Sequence, residues 1–231
     1  MNDEEPCWYG GKFGWIYQNS KHFNDKDFLG ENYLYYKIIK IKIWTGKIDS
    51  IDIINGVQVF YKNILDGNII TPGEYKGDEG CDNVYEFEIK SNEYLINFHI
   101  RYDLYVTQVG FETNKGNKIL VGGTIGEDKL IVSNGGDNII LFLYGSYNNC
   151  LHTLGVGYIN KKDYLKILFI GYFQLNYKLN NDKEFREEWI KKENLLNEDD
   201  RIILKVCLFP EDIFEKIIKY VFLFINNYNI I

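Results

Sequence analysis

The chain lacks the cysteine pattern of a disulfide-rich scaffold or a zinc site. It has only four cysteines in 231 residues, and no two of them form a CxxC pair. Disulfide scaffolds need dense cysteines, and structural zinc sites need closely spaced pairs. The sequence therefore predicts neither a disulfide framework nor a metal or other cofactor. The four cysteines are Cys7, Cys81, Cys150 and Cys207.

The sequence also has no long apolar run and no excess of positive charge. The longest apolar stretch, around residues 217–225, is interrupted by Lys219, whereas a membrane-spanning helix needs about 20 apolar residues. The acidic start MNDEEPCWYGG lacks the apolar centre of a secretory signal. A net charge of −7 argues against nucleic acid as a partner. These absences predict a soluble, cytoplasmic protein without a membrane span.

Glycine is almost absent from the last third of the chain. Twenty of the 21 glycines precede residue 160, and Gly171 is the only later one. Before residue 160, short runs alternate apolar and polar residues, as in Ile39–Ile43 and Tyr85–Ile89, and are broken by Gly, Asn or Asp. Such alternation places one side of a strand in a core and the other in water. Many short strands with turn signals predict antiparallel sheets in a sandwich, barrel or prism.

The sequence after residue 160 favours helices. Residues 182–196 place apolar residues near a helical period among charges, and a second helix is expected from Pro210, with two carboxylates in its first turn. We therefore expect an all-β part, residues 1–159, and a mainly helical extension, residues 160–231. The segment 208–221 resembles the first helix of an F-box, but only 21 residues follow Pro210. Its apolar stripe is expected to pack on the β part, on the helix at 185–196 or on a protein partner.

Seven short segments before residue 160 carry glycine-rich or strand-like motifs. In their order along the chain they resemble the jacalin-related lectins of the mannose-binding type. The opening Tyr-Gly-Gly-Lys-Phe-Gly is similar to the family's Trp-Gly-Gly-x-Gly-Gly, and the closing Leu-His-Thr-Leu-Gly-Val is similar to its Leu-Asp-Ala-Ile-Gly-Val. The segments are Tyr9–Gly14, Ile41–Ile51, Tyr75–Gly80, Asn92–Ile96, Tyr102–Asn114, Gly122–Gly126 and Leu143–Val156.

This resemblance implies an all-β fold, a β-prism of three four-stranded Greek-key sheets with pseudo-threefold symmetry. It also implies one glycine loop in each repeat, at residues 10–14, 77–80 and 122–126. Glycine lets the backbone approach a sugar without a Cβ in the way, but it is also the usual residue where a strand turns with positive φ. Each loop therefore has a functional and a purely structural explanation.

The main sugar site of the family, as the resemblance implies it, pairs Gly14 with a closing-loop GxxxD motif. That motif supplies two backbone N–H groups and one carboxylate, which binds two adjacent hydroxyls. In this chain Asn148 stands at the glycine and His152 at the aspartate, with Asn149 and Cys150 between them. Neutral histidine accepts only one hydrogen bond, so the loss of the carboxylate should cost about 1.5–3 kcal/mol. His152 is either part of the site or a partly buried polar residue.

A second candidate sugar site lies in the second repeat. The segment Gly46-Lys-Ile-Asp49 is expected to face the second glycine loop with Gly80, as in family members with two sites. Its spacing is GxxD, one residue shorter than GxxxD. Asp49 is therefore either a sugar ligand or a structural carboxylate of its strand.

These observations predict a carbohydrate-binding, lectin-like protein and not an enzyme, since no nucleophile–base pair, phosphate loop or metal spacing occurs. The expected ligands are glycans of the mannose type or related sugars. A homo-oligomer would raise the avidity of weak single sites. The alternative is a degenerate lectin domain that acts as a protein-interaction or adaptor module with the helical tail. The departures at Asn148 and His152 favour that alternative.

Overall fold

The computed structural model describes residues 20–77, 81–132, 138–161, 163–164, 181–183 and 187. The first predicted glycine loop, with Gly14, lies outside these residues, and so does Gly80 of the second loop. The helices expected at 182–196 and from Pro210 also lie outside them, apart from a few isolated positions. The division at residue 159 stays a prediction.

Strands dominate the described residues. One short helix, α1 (Asp25–Leu29), and a 3-10 helix (Gly30–Tyr35) follow the first strand. No helix among the described residues is long and apolar enough to cross a membrane. The strands are β1 (Lys21–Asn24), β2 (Tyr36–Ile48), β3 (Ile51–Asn63), β4 (Ile69–Ile70), β5 (Tyr75–Lys76), β6 (Cys81–Glu88), β7 (Leu95–Tyr102), β8 (Val106–Thr113), β9 (Lys118–Gly122), β10 (Glu127–Val132), β11 (Asn138–Tyr147) and β12 (Leu151–Asn160).

The strands of the described residues form three antiparallel sheets. The first has the order β1-β11-β12, the second β10-β7-β8-β9, and the third β4-β3-β2-β6, with β5 also paired to β3. The all-β, antiparallel class predicted from the sequence is confirmed. The described sheets contain three, four and five strands, where the resemblance implied four in each.

Period-two alternation explains most of the core. On β2, Ile41 and Ile43 are fully buried, while Lys40 and Lys42 lie on the other face and both contact Glu86 of the neighbouring strand. On β7, Phe98 and Ile100 are fully buried and alternate with half-buried polar residues. The central hairpins therefore form as the sequence pattern predicts.

The alternation fails in part on β6. Tyr85 was expected to face the core with Phe87, but it is 41% exposed. Among the strands that the structure describes, β6 is the last of its sheet and pairs only with β2. Residues 82–86 of β6 are all exposed, so the core covers this strand only near its end, at Phe87.

Candidate functional site

The hairpin between β11 and β12 forms the closing loop, and we call residues 147–151 the closing hairpin. Tyr147 pairs with Leu151, and the backbone N–H of Asn148 donates to the carbonyl of Cys150 at 3.0 Å. Asparagine is favoured in such tight turns because its short polar side chain can form hydrogen bonds with the nearby backbone. The turn leaves Asn149 exposed and Asn148 half-buried.

Gly77 packs directly against this hairpin. An ideal Cβ at Gly77 would lie 1.8 Å from the carbonyl oxygen of Asn149 and 2.5 Å from the backbone nitrogen of Cys150. Only glycine fits at this distance, because the atoms it meets are backbone atoms that cannot rotate away. The N–H of Gly77 donates to the carbonyl of Asn55 on β3 at 3.0 Å, which anchors the loop. The beginning of the second glycine loop therefore lies on the closing hairpin.

Two side chains of the hairpin region point into the protein. Cys150 is fully buried and His152 is 7% exposed. The ring of His152 lies 5.7 Å from that of Tyr105, which precedes β8. Burial lowers the pKa of His152, so its ring is neutral at neutral pH. The exposed chemistry of the turn therefore comes from the amides of Asn148 and Asn149, which donate and accept as sugar hydroxyls do.

An aromatic cluster supports the closing hairpin at Tyr147. The rings of Phe23 and Tyr75 stack with centroids 3.8 Å apart, and the ring of Tyr147 lies 5.9 Å from Tyr75. The ammonium of Lys21 lies 5.8 Å from the centre of the Tyr147 ring. Aromatic contacts of this kind hold side chains in defined positions. Tyr147 is half-buried, so part of this residue remains accessible beside the two asparagines.

A buried carboxylate lies behind this aromatic cluster. Asp25, at the start of α1, has no exposed surface and accepts hydrogen bonds from the hydroxyls of Tyr61 and Tyr75, the latter at 2.6 Å, and from the backbone of Leu143. Burial raises the pKa of Asp25 from 3.8 to about 6, against the opposing effect of these three hydrogen bonds. Burial and the charge of Asp25 raise the pKa of both tyrosines, so their hydroxyls stay protonated and donate.

Asp49 lies in the two-residue turn between β2 and β3. Its φ is 47° and that of Ser50 is 71°, so both residues have the left-handed backbone of a tight hairpin turn. The side chain of Asp49 is exposed. On the same hairpin, Gly46 pairs with Cys81, the first residue after the second glycine loop. The structure thus pairs the start of the Gly46–Asp49 segment with the residue that follows that loop, and a ligand role for Asp49 stays a prediction.

The third glycine loop, residues 122–126, is shaped by backbone crowding. Gly126 has a φ of 103°, and a Cβ there would lie 2.3 Å from the carbonyl oxygen of Tyr102. The positive φ and the close backbone contact explain why glycine occupies position 126, and no ligand is needed to explain it.

Within the described ranges, no three His, Cys, Asp or Glu side chains are grouped so that they could hold a metal ion.

The model of the jacalin-like lectin domain matches residues 10–157, which is well over half of the chain. The chain belongs to the jacalin-like lectin domain family. A comparison with curated proteins finds no match.

Solved lectin structures share the fold of this jacalin-like chain. Artocarpin complexed with methyl-α-mannose has a TM-score of 0.52 at 15% identity, covering 66% of this chain and 94% of that one. Malaysian banana lectin has a TM-score of 0.51 at 18% identity, covering 67% and 96%. A mannose-binding lectin from Champedak has a TM-score of 0.50 at 17% identity, covering 66% and 92%. At these identities the similarity concerns the fold.

The predicted site residues of the jacalin-like domain fall into three groups. Asn148, Asn149, Cys150 and His152 lie together on or next to the closing hairpin, but Cys150 and His152 turn their side chains inward. Asp49 lies on another hairpin. The predicted glycines at positions 14 and 80 lie outside the described residues.

Sequence reasoning missed Asp25, Tyr61 and Tyr75 as a group. Asp25 and Asp27 both look like ordinary carboxylates in the first turn of a helix, where they complement the helix dipole. Only the fold buries one of them and exposes the other. Tyr61 and Tyr75 lie 36 and 50 residues further along the chain, and no local motif connects them to Asp25.

Proposed function

We infer that this chain binds glycans at the closing hairpin and does not transform them. Membership of a lectin domain family supports carbohydrate binding. The observation that carries the location is the contact of Gly77 with the Asn149–Cys150 peptide, which joins a glycine loop to the hairpin that carries the half-buried Asn148 and the exposed Asn149. The proposed scaffold is a β-prism with three pseudo-symmetric sheets. Gly14, on the first glycine loop, is proposed to complete the site.

Mannose-type sugars are the proposed ligand class. Artocarpin was solved in complex with methyl-α-mannose, and the Champedak lectin is described as mannose-binding. The amides of Asn148 and Asn149 offer both donors and acceptors, and the accessible part of Tyr147 offers a surface for a sugar ring. His152 is neutral and buried where the family motif has a carboxylate. We therefore expect weak single-site affinity, reduced by about one to two decades relative to a site with the carboxylate.

A glycan array tests the proposal with matched variants of two exposed asparagines. Asn149→Ala should abolish or strongly reduce the mannose-type signal, because it removes the exposed amide of the turn. Asn92→Ala is the control, since Asn92 is equally exposed but lies in the turn before β7. That turn is at the opposite end of β7 from Tyr105, whose ring faces His152. Equal signals from both variants would contradict the location.

The second candidate function is a protein-interaction module. The buried, neutral His152 favours it, because this part of the family's sugar motif has lost its acceptor charge. In this proposal the domain and the C-terminal extension together hold a protein partner. A blank array from folded protein would favour this function over glycan binding. The Gly14→Trp variant further distinguishes glycan binding from protein interaction, because a bulky residue at position 14 should block a sugar site.

A further inference from the structure

Asp25 connects four elements through one carboxylate. It lies on α1, and its three hydrogen-bond donors are Tyr61 on β3, Tyr75 on β5 and the backbone of Leu143 on β11. Asp25 and Tyr61 have no exposed surface. A buried charge is tolerated only where hydrogen bonds satisfy it, so this carboxylate depends on all of these donors being in place.

Tyr75 extends this connection to the closing hairpin by two routes. Its ring stacks on Phe23 and contacts Tyr147, the first residue of the closing hairpin. Along the backbone, Gly77 lies two residues after Tyr75, and it packs on the Asn149–Cys150 peptide. The hydroxyl of Tyr75 is held by Asp25 at 2.6 Å, so both routes begin at a side chain that the carboxylate fixes.

We propose that Asp25 is a positioning residue for the sugar site, because its carboxylate holds Tyr75 and thereby fixes Tyr147 within the closing hairpin and Gly77 against it. This inference rests on the proposed glycan binding at that hairpin. Asp25 itself does not touch the sugar, since it is fully buried.

Protonation of Asp25 should loosen this arrangement. A neutral carboxyl group carries its own O–H donor, so one of its oxygens no longer accepts from a tyrosine as a carboxylate does. Tyr75 is half-buried whereas Tyr61 is fully buried, so the bond to Tyr75 is the easier one to lose. Among the described residues, the groups that act on the carboxylate are the two hydroxyls and the Leu143 backbone, while the flanking side chains of His22 and Lys26 are exposed. With the pKa of Asp25 raised to about 6 by burial, the change falls in the mildly acidic range.

An NMR pH titration of the full chain tests the connection without sugar. The backbone amide signals of Asn149 and Cys150 should titrate with a midpoint of about 6, the value to which burial raises the pKa of Asp25. Asp25→Asn should abolish this titration. His152→Gln removes the histidine next to the hairpin, and the titration should persist in it. Signals that do not move between acidic and neutral pH, or that still titrate in Asp25→Asn, would overturn the proposal.

The sugar-binding arm uses Tyr75→Phe, which keeps the ring and removes only the hydroxyl. Affinity of the wild type for methyl-α-mannoside should fall about five- to tenfold from pH 7.5 to pH 5. Tyr75→Phe should bind weakly at both pH values, with its pH dependence lost. A wild-type affinity independent of pH, or a Tyr75→Phe variant with the wild-type profile, would overturn the positioning role. If the wild type binds no glycan at any pH, the proposed function fails, and the amide titration still decides the role of Asp25.

Discussion

At the scale of single residues, burial decides what a side chain can do. Asp25 begins a short helix and Asp49 lies in the turn between two long strands; the first is fully buried and the second is exposed. The neighbours of Asp25 are two tyrosine hydroxyls, whereas Asp49 lies in a turn with positive φ. The same residue type thus forms a structural centre in one place and a surface carboxylate in the other.

The buried carboxylate predicts an unusual dependence of stability on pH. Burial raises the pKa of Asp25 in the folded protein from 3.8 to about 6, so the folded chain holds this proton more tightly than the unfolded chain. The contribution of Asp25 to stability is therefore greatest below about pH 4 and is lost as the pH rises through 6. Asp25→Asn has no carboxylate to titrate and should not show this loss. When the pH is raised from 4 to 7.5, the free energy of unfolding of Asp25→Asn should therefore increase by roughly 2–3 kcal/mol relative to that of the wild type.

Urea denaturation of both proteins at the two pH values measures this difference. The comparison of variant with wild type cancels the contributions of the other titrating groups. A constant difference in unfolding free energy would contradict the raised pKa.

At the scale of elements, the closing hairpin depends on a loop from a different sheet. The hairpin belongs to the β1-β11-β12 sheet, and Gly77 follows β5, which pairs with β3. The glycine motif predicted the loop, and the resemblance to the family predicted the closing loop. Neither predicted that Gly77 would contact Asn149 and Cys150, because contacts between sheets depend on packing and not on local pattern.

Gly77→Ala should disturb the hairpin directly. The added methyl group has no space between the two backbones, so the loop or the hairpin must shift. We expect a loss of about 1–3 kcal/mol in stability together with loss of sugar binding. Thermal denaturation and isothermal titration with methyl-α-mannoside measure the two effects.

Gly116→Ala is the matched control. Its Cβ would have nothing within 4 Å, but its φ of 81° makes alanine strained, so it should also lose stability. The turn containing Gly116 adjoins Tyr94, where Asn114 donates to the Tyr94 carbonyl, and thus lies at the far end of β7 from the closing hairpin. Sugar binding should therefore survive in this variant. Binding that is retained in Gly77→Ala, or lost equally in both variants, would argue against the contact as part of the site.

At the scale of the whole molecule, the sequence was most informative where the pattern is local. Alternation at Ile41 and Ile43 predicted strands and a buried face, and the order of the glycine motifs indicated the family. The direction in which side chains of the hairpin region point could not be predicted from the sequence. The place of His152 in the motif suggested a sugar contact or a buried polar residue, and only the packing of β12 shows that the ring is buried against Tyr105.

The closing hairpin is the proposed place where a glycan binds. NMR titration of the full chain with methyl-α-mannoside examines this site residue by residue, because each backbone amide reports on its own surroundings. We expect the signals of Gly77, Asn148 and Asn149 to shift as the sugar is added, while those of Lys115–Asn117 stay in place. Signals of the closing hairpin that remain unchanged at saturating sugar, with shifts elsewhere or none at all, would contradict this proposal.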